Sequence, residues 1–301
     1  MEAVRDMKVP QLRGELRYDE PMSRHVSWRA GGKAKCYFIP ADLYDIVKLL
    51  AWLPKDEDIL WVGLGSNTLV RDSGFDGTVI ALHGVLIDLN RLDHDRVHVG
   101  AGVTGAKLAR FCAKENLVGA EFFAGIPGLI GGALAMNAGA FGGETWQHVI
   151  SVETINRKGK LQQRHANEYQ VGYRHVSGPA DEWFTAAVFQ FEQGNGRAAS
   201  EAIKQLLAKR AATQPMGAAS CGSVFTNPDN DYAARLIEAS GLKGYRIGGA
   251  AVSDKHANFI LNDHNATAND IESLIKHVQQ VVLREQGVEL HTEVRIVGVK
   301  K

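Results

Sequence analysis

Between Gly125 and Gly143 the chain reads GIPGLIGGALAMNAGAFGG, an apolar stretch interrupted by seven glycines and one proline. It is too broken by Gly and Pro to span a membrane. Glycine removes the Cβ that holds main chain away from a ligand and permits positive φ, so the run reads as a backbone surface able to close on something flat and phosphorylated. A tight glycine-rich helix contact inside a core fits the same letters, and the run alone does not choose between the two.

The 301 residues suffice for one large domain or two ordinary ones, and two are expected. Thirty-four basic residues balance 34 acidic ones, which leaves no global electrostatic footprint for nucleic acid or anionic membrane. Any anion site is therefore local. The amino terminus, MEAVRDMKVPQLRGEL, lacks the apolar core of a signal peptide, and a cytoplasmic protein is expected. Cys36, Cys112 and Cys221 are far apart and include no CxxC pair, and the histidines lack HExxH spacing. Neither a disulfide framework nor a metal site is indicated.

Residues 1–22 show no sustained period and are expected to form an arm. In the segment from His25 to Pro40, Ala34, Cys36, Phe38 and Pro40 share one parity of a strand. Asp42 suits the cap of a helix whose apolar face is Leu43, Ile46, Val47 and Leu50. A strand at residues 59–62 runs into Gly63-Leu-Gly-Ser-Asn-Thr68, a turn with successive amides, a hydroxyl and a side-chain amide suited to a pyrophosphate. It is neither a Walker loop nor a full GxGxxG, and a plain interstrand turn is the competing reading. Further strands are expected at residues 78–82, 96–99, 149–156, 161–164 and 184–191, with a helix over 104–115 burying Leu108, Phe111 and Cys112.

From residue 198 to 209 the pattern is helical, with Ile203, Leu206 and Leu207 inward, bridging to a second domain. A helix at 231–240, a strand at 258–261 and a last helix follow. Thr267 caps that helix with Asp270 three residues on, and Ile271, Leu274, Ile275, Val278 and Val282 form its stripe before Gly287. In the final expected strand, residues 288–296, alternation sets Val288, Leu290, Thr292, Val294 and Ile296 against Glu289, His291, Glu293 and Arg295. On pattern alone the charged side of that strand is a solvated face.

The pieces GLGSN, GFDG, GAGVTGAKLA, AGIPGLIGGALAMNAGAFG, YRHVSG, SCGSVFTNP, GLKGYRIGGAAVSDKHANFILN and HTEVRIVG occur in this order. Together they closely resemble the bacterial UDP-N-acetylenolpyruvoylglucosamine reductases, the MurB family of peptidoglycan synthesis, from about His25 to Gly298. The resemblance implies an α+β protein: an arm over 1–23, a two-part FAD-binding domain of the vanillyl-alcohol-oxidase type over 24–200, and a smaller α+β substrate-binding domain over 201–301, whose last strand is able to return to the first. It implies FAD held by Gly63, Gly65, Ser66, Asn67, Ile126, Pro127, Gly132, Asn137 and Ala138. NADPH is the implied hydride donor, and UDP-N-acetylglucosamine enolpyruvate is the implied substrate, entering in turn. The short segment between Tyr173-Arg174 and the next strand is similar to the family's second type, which lacks an inserted loop with a substrate-binding tyrosine.

By motif position Arg174, Ser223 and Glu293 are the implied catalytic residues. Arginine and a protonated glutamic acid would stabilise charge developing beside the substrate carboxylate, and serine would give a proton to the neighbouring carbon. A neutral Glu293 needs a desolvated site. Cys221 is not expected to act as a nucleophile, because this chemistry needs a proton donor rather than a covalent adduct. Tyr173, Lys209, Arg210 and Asn258 are the further substrate-binding expectations. Lys255 and His256 are placed equally well in a pocket or a surface turn. A different flavin enzyme of the same fold and a flavin-storing module without chemistry are the competing functions.

Overall fold

The computed structural model describes residues 10–300. The described residues divide into two compact units, one made of residues 10–17, 36–63 and 78–209, the other of 18–35, 64–77 and 210–300. This interleaving differs from the contiguous 24–200 and 201–301 segments expected from sequence. The first nine residues of the expected arm lie outside the described residues. Its later part is a regular strand, Glu15–Pro21, because main-chain pairing needs no apolar period of its own.

Ile59–Val62 runs parallel to Phe75–Ala81, with Ile59 opposite Thr78 and Val62 opposite Ala81. These strands belong to a four-stranded sheet with Lys33–Ile39 and Glu15–Pro21, in which Ala34, Cys36 and Phe38 are buried as their shared parity requires. Helix α1, Leu43–Trp52, begins where the Asp42 side chain accepts from the Asp45 amide. A five-stranded antiparallel sheet follows the order Leu161–His165, Val149–Asn156, Glu182–Gln190, Arg96–Gly100, Leu89–Arg91. Against it lie α2, Gly105–Lys114, and the short α3, Ile130–Met136. Val97, Val99, Leu108, Cys112, Phe123, Leu134 and Phe189 form the common core. In α4, Gly196–Thr213, Ile203 is buried, but Leu207 is 36% exposed, contrary to its expected inward position.

The second unit is organised on α6, Ala268–Gln286, whose Thr267–Asp270 capping box and left-handed Gly287 terminus match the sequence expectation. Ile271, Leu274, Ile275, Val278 and Val282 pack with α5, Ala233–Ala239, and with the sheet Arg246–Ile247, Ala250–Val252, Ile260–Asn262. Trp28 is buried in this core. Its indole donates to the Ile260 carbonyl and its own carbonyl accepts from Asn262 Nδ2, each at 2.8 Å.

The expected last strand is corrected. Regular pairing is confined to Arg295–Val297, parallel to Thr68–Val70, and Thr292 makes only an isolated bridge to Phe225. Leu290 and Val294 are buried, but Thr292 is exposed. The amides of Glu293 and Val294 both point to the Val224 carbonyl, at 2.8 and 3.4 Å, so the strict two-residue alternation fails there.

Candidate functional site

In the first unit the glycine-rich stretch folds as a loop, the whole of α3, and a second loop. The Ile130 and Gly131 amides donate to Val103 and Ala101, which straps the stretch to residues 101–104, while Thr104 pairs with Leu129. A Cβ at Gly63 would stand 2.9 Å from the Leu129 side chain, which would have to shift to admit it. Around Gly132 no atom lies within 4 Å of where a Cβ would stand. Open space beside bare main chain is what close approach of a cofactor requires, and this observation fits a flavin nucleotide. The 101–104 loop belongs to the same surface. Its GAG signal was visible in the sequence, but its attachment to α3 was not.

Asn137 and Ala138, expected at the cofactor, shape the turn that follows α3. Asn137 ends α3 in the left-handed region at φ 47° and is 1% exposed. Its Nδ2 donates to Glu144 Oε2 (2.9 Å) and the Gly172 carbonyl (3.0 Å), and its Oδ1 accepts from the Trp146 amide (3.1 Å). Ala138 donates to Ala133, and its carbonyl accepts from both the amide and the hydroxyl of Thr145. Their polar groups are therefore engaged within the protein. What they contribute is the shape of the turn.

That turn supplies acceptors to Arg174. Gln170–Gly172 and His175–Ser177 form a hairpin with Tyr173 and Arg174 at its tip, and only residues 178–181 separate it from the next long strand. Arg174 adopts φ 55°, a left-handed conformation that costs a non-glycine residue about 1 kcal/mol. Its Nη2 donates to the Gly139 carbonyl at 2.9 Å and Nη1 to Asn137 at 3.4 Å, while the guanidinium carbon lies 5.0 Å from the Tyr173 ring centre. Two main-chain acceptors thus help to fix the guanidinium. Tyr173 is exposed, and Lys209, near the end of α4, places Nζ 6.0 Å from the Phe141 ring centre. Ile126 and Pro127 begin the loop into α3, the Ile126 amide donating to Phe123.

In the second unit the turn after Leu64 brings Gly65, Ser66 and Asn67 together. Gly65 has φ 58°, and a Cβ there would collide with the His25 carbonyl oxygen, so this position requires glycine. Asn67 Nδ2 donates to the carbonyl of Glu293 at 3.1 Å, and its own carbonyl accepts from Arg295 at 3.0 Å. Glu293, half-buried, donates its amide to Val224, the residue after Ser223. Asn67, Ser223 and Glu293 therefore lie on one hydrogen-bonded assembly of main chain.

Cys221 is 3% exposed, and burial pushes its thiol up to about 12. Its Sγ donates to the Gly65 carbonyl at 3.4 Å, which suits a packed thiol rather than a thiolate. Arg210 is half-buried, which lowers its pKa, and its Nε donates to Gln214 Oε1 at 3.0 Å. Lys255 Nζ donates to the Ala211 carbonyl at 2.6 Å. Asn258 is another residue expected to bind substrate. It is buried, and its amide is bonded through both atoms to the main chain of Phe225. Among the described residues no group of three or more His, Cys, Asp or Glu side chains could hold a metal ion.

The model of the UDP-N-acetylenolpyruvoylglucosamine reductase C-terminal domain matches residues 214–297, and that of an FAD binding domain matches residues 34–163. Over 285 residues the chain is 57% identical to the UDP-N-acetylenolpyruvoylglucosamine reductase of Alkalilimnicola ehrlichii, covering 95% of each chain. Its identity to the Methylococcus capsulatus protein of the same name is 54% over 286 residues, covering 95% of this chain and 94% of the relative. The crystal structure of UDP-N-acetylenolpyruvylglucosamine reductase from Thermus caldophilus aligns with a TM-score of 0.80 at 27% identity, covering 95% of this chain and 99% of that one.

Proposed function

Because the chain belongs to the UDP-N-acetylenolpyruvoylglucosamine reductase family, and so uses FAD and NADPH to reduce UDP-N-acetylglucosamine enolpyruvate to UDP-N-acetylmuramate for peptidoglycan synthesis, we propose that Arg174, Ser223 and Glu293 carry the chemistry. FAD, when bound, supplies the two-electron step, accepting hydride from NADPH and giving it to the enolpyruvyl double bond. The residues assigned to hold it are Gly63, Gly65, Ser66 and Asn67 at one turn and Ile126, Pro127 and Gly132 at the other, with Asn137 and Ala138 shaping the second.

Hydride arriving at the terminal carbon of the double bond leaves negative charge on the neighbouring carbon and its carboxylate. Arg174, with its guanidinium held by Gly139 and Asn137, stabilises that charge. Glu293 does so as a neutral acid that donates a hydrogen bond. Ser223 Oγ then gives its proton to the neighbouring carbon, completing the addition of hydride and proton across the bond. Tyr173, Lys209 and Arg210 are assigned to the substrate's nucleotide end, two of them cationic where a diphosphate needs charge. NADPH and substrate are assigned to one place in turn, which predicts substrate inhibition. A cytoplasmic location is part of the same proposal; among the described residues no helix is long and apolar enough to cross a membrane.

The observation that carries the assignment is the bond from the Glu293 amide to the Val224 carbonyl, which seats the proposed acid beside the proposed proton donor's own segment. Ser223→Ala tests it. Reduction of the bound flavin by NADPH should keep its rate, while reoxidation by substrate should slow by about 10²–10⁴-fold. Reoxidation at the wild-type rate would refute the serine's role.

A further inference from the structure

We propose that Asn258 is a positioning residue for the reduction, its side-chain amide fixing the main chain from which Ser223 and Glu293 are both presented. The proposal rests on the reading of those two residues as catalytic. The residues around Phe225 are half of an antiparallel pair. Phe225 stands opposite Thr292, and the bonds of that pair come from its neighbours, the Thr226 amide to His291 at 2.9 Å and the Glu293 amide to Val224 at 2.8 Å. In such a pair the N–H and C=O of Phe225 itself point the other way, where a third strand would stand. Phe225 is buried, so both groups would be costly to leave without partners.

Asn258 takes the place of that strand. Oδ1 accepts from the Phe225 amide at 2.9 Å, Nδ2 donates to the Phe225 carbonyl at 2.8 Å, and the Asn258 carbonyl accepts from the Val224 amide at 2.9 Å. On the other side of Ser223, Cys221 Sγ holds the Gly65 and Thr68 carbonyls at 3.4 and 3.6 Å, and Gly222 turns between at φ 74°. Ser223 thus stands between two fixed points. The clamped Val224 carbonyl is also the acceptor that locates the Glu293 amide. At 4% exposure Asn258 works through main chain and need not touch substrate.

Loss of the clamp should disturb the step that needs both side chains in place and spare the step that needs neither. Asn258→Ala removes both side-chain bonds. Asn258→Asp keeps the acceptor for the Phe225 amide but, when ionised, cannot donate to its carbonyl. With FAD bound, each variant should be reduced by NADPH within about twofold of the wild-type rate and reoxidised by substrate about 10- to 100-fold more slowly, the scale of a misplacement near 1 Å. In a Ser223→Ala background, Asn258→Ala should add less than its effect alone, because the two act on one step. Wild-type reoxidation in both Asn258 variants, or equal slowing of the two half-reactions, would overturn the proposal. So would failure of both variants to retain flavin, which would mark a general structural clamp. Ser223→Ala measured alongside separates the two ideas. Fast reoxidation there refutes the catalytic reading, whereas slow reoxidation there with unimpaired Asn258 variants refutes this inference alone.

Discussion

Asn67 donates from Nδ2 to the carbonyl oxygen of Glu293 at 3.1 Å, joining positions 226 residues apart. The turn assigned to the cofactor is thereby tied to the residue assigned as the acid, and neither can shift without the other. Asn67→Ala should cost about 1 kcal/mol of stability and, at saturating FAD, slow flavin reoxidation about tenfold. Urea titration and single-turnover absorbance check the two effects. A stable variant with normal reoxidation would show the tie to be incidental.

Gly132 and Gly65 separate a glycine kept for a ligand from one kept for the chain. Gly132 lies in α3 with open space where a Cβ would stand, so Gly132→Ala should leave the fold intact and raise helix stability by up to about 1 kcal/mol, yet weaken FAD retention. Gly65→Ala forces a side chain into the left-handed region and against His25, and should lower stability as well as flavin content. Flavin fluorescence released by dialysis, read beside thermal melts, distinguishes them. Full FAD retention by Gly132→Ala would remove that glycine from the cofactor surface.

All three cysteines are buried, and burial pushes both Cys112 and Cys221 up to about 12. The native protein should react with an aromatic disulfide reagent at pH 8 only at the rate of unfolding, and the denatured protein should yield all three thiols at once. Cys221→Ala should leave turnover largely intact. A fast-reacting native thiol, or lost turnover in that variant, would contradict the packed role given to Cys221.

In the second unit Arg71 bonds Glu272 through Nε at 2.8 Å and the Gly298 carbonyl through Nη1 at 2.7 Å, and Lys276 Nζ reaches Glu272 at 2.8 Å. The Arg71 guanidinium holds the Glu272 carboxyl below its ordinary range, outweighing the opposing effect of burial. A depressed carboxyl stabilises fully above its unfolded pKa of about 4.3 and loses that contribution as pH falls through the lower folded value. Glu272→Gln should therefore be less stable than wild type by about 2 kcal/mol at pH 7, with the gap narrowing below about pH 4. A gap that stayed constant under acid would mean the carboxylate's charge is not what stabilises.

Sequence showed most plainly what is local. Thr267 and Asp270 announce the start of α6 and Asp42 that of α1, because a cap depends on residues three positions apart. The strand at Ile59–Val62 and the strand at Val149–Asn156 were legible from apolar period and flanking turns. What escaped was set by partners far along the chain. Glu15–Pro21 is a strand through main-chain pairing, and the 288–294 segment loses its alternation because two amides converge on Val224. Asn258 and Asn137 spend their amides on distant main chain, and a polar side chain standing in for a strand neighbour leaves no period to read. The catalytic assignments came from motif order, since the Glu293 position by pattern alone was a solvated face.

The central claim is a flavin that passes hydride from NADPH to the enolpyruvyl ether, with Ser223 and Glu293 serving the second half only. The most direct measurement is to reduce the FAD-loaded protein with NADPH without oxygen, add UDP-N-acetylglucosamine enolpyruvate, and follow flavin absorbance. Bleaching by NADPH followed by recovery on adding substrate, with recovery lost in Ser223→Ala and Glu293→Ala but bleaching kept, is the predicted result. Bleaching without recovery in the wild-type protein, or recovery undiminished in both variants, would contradict it.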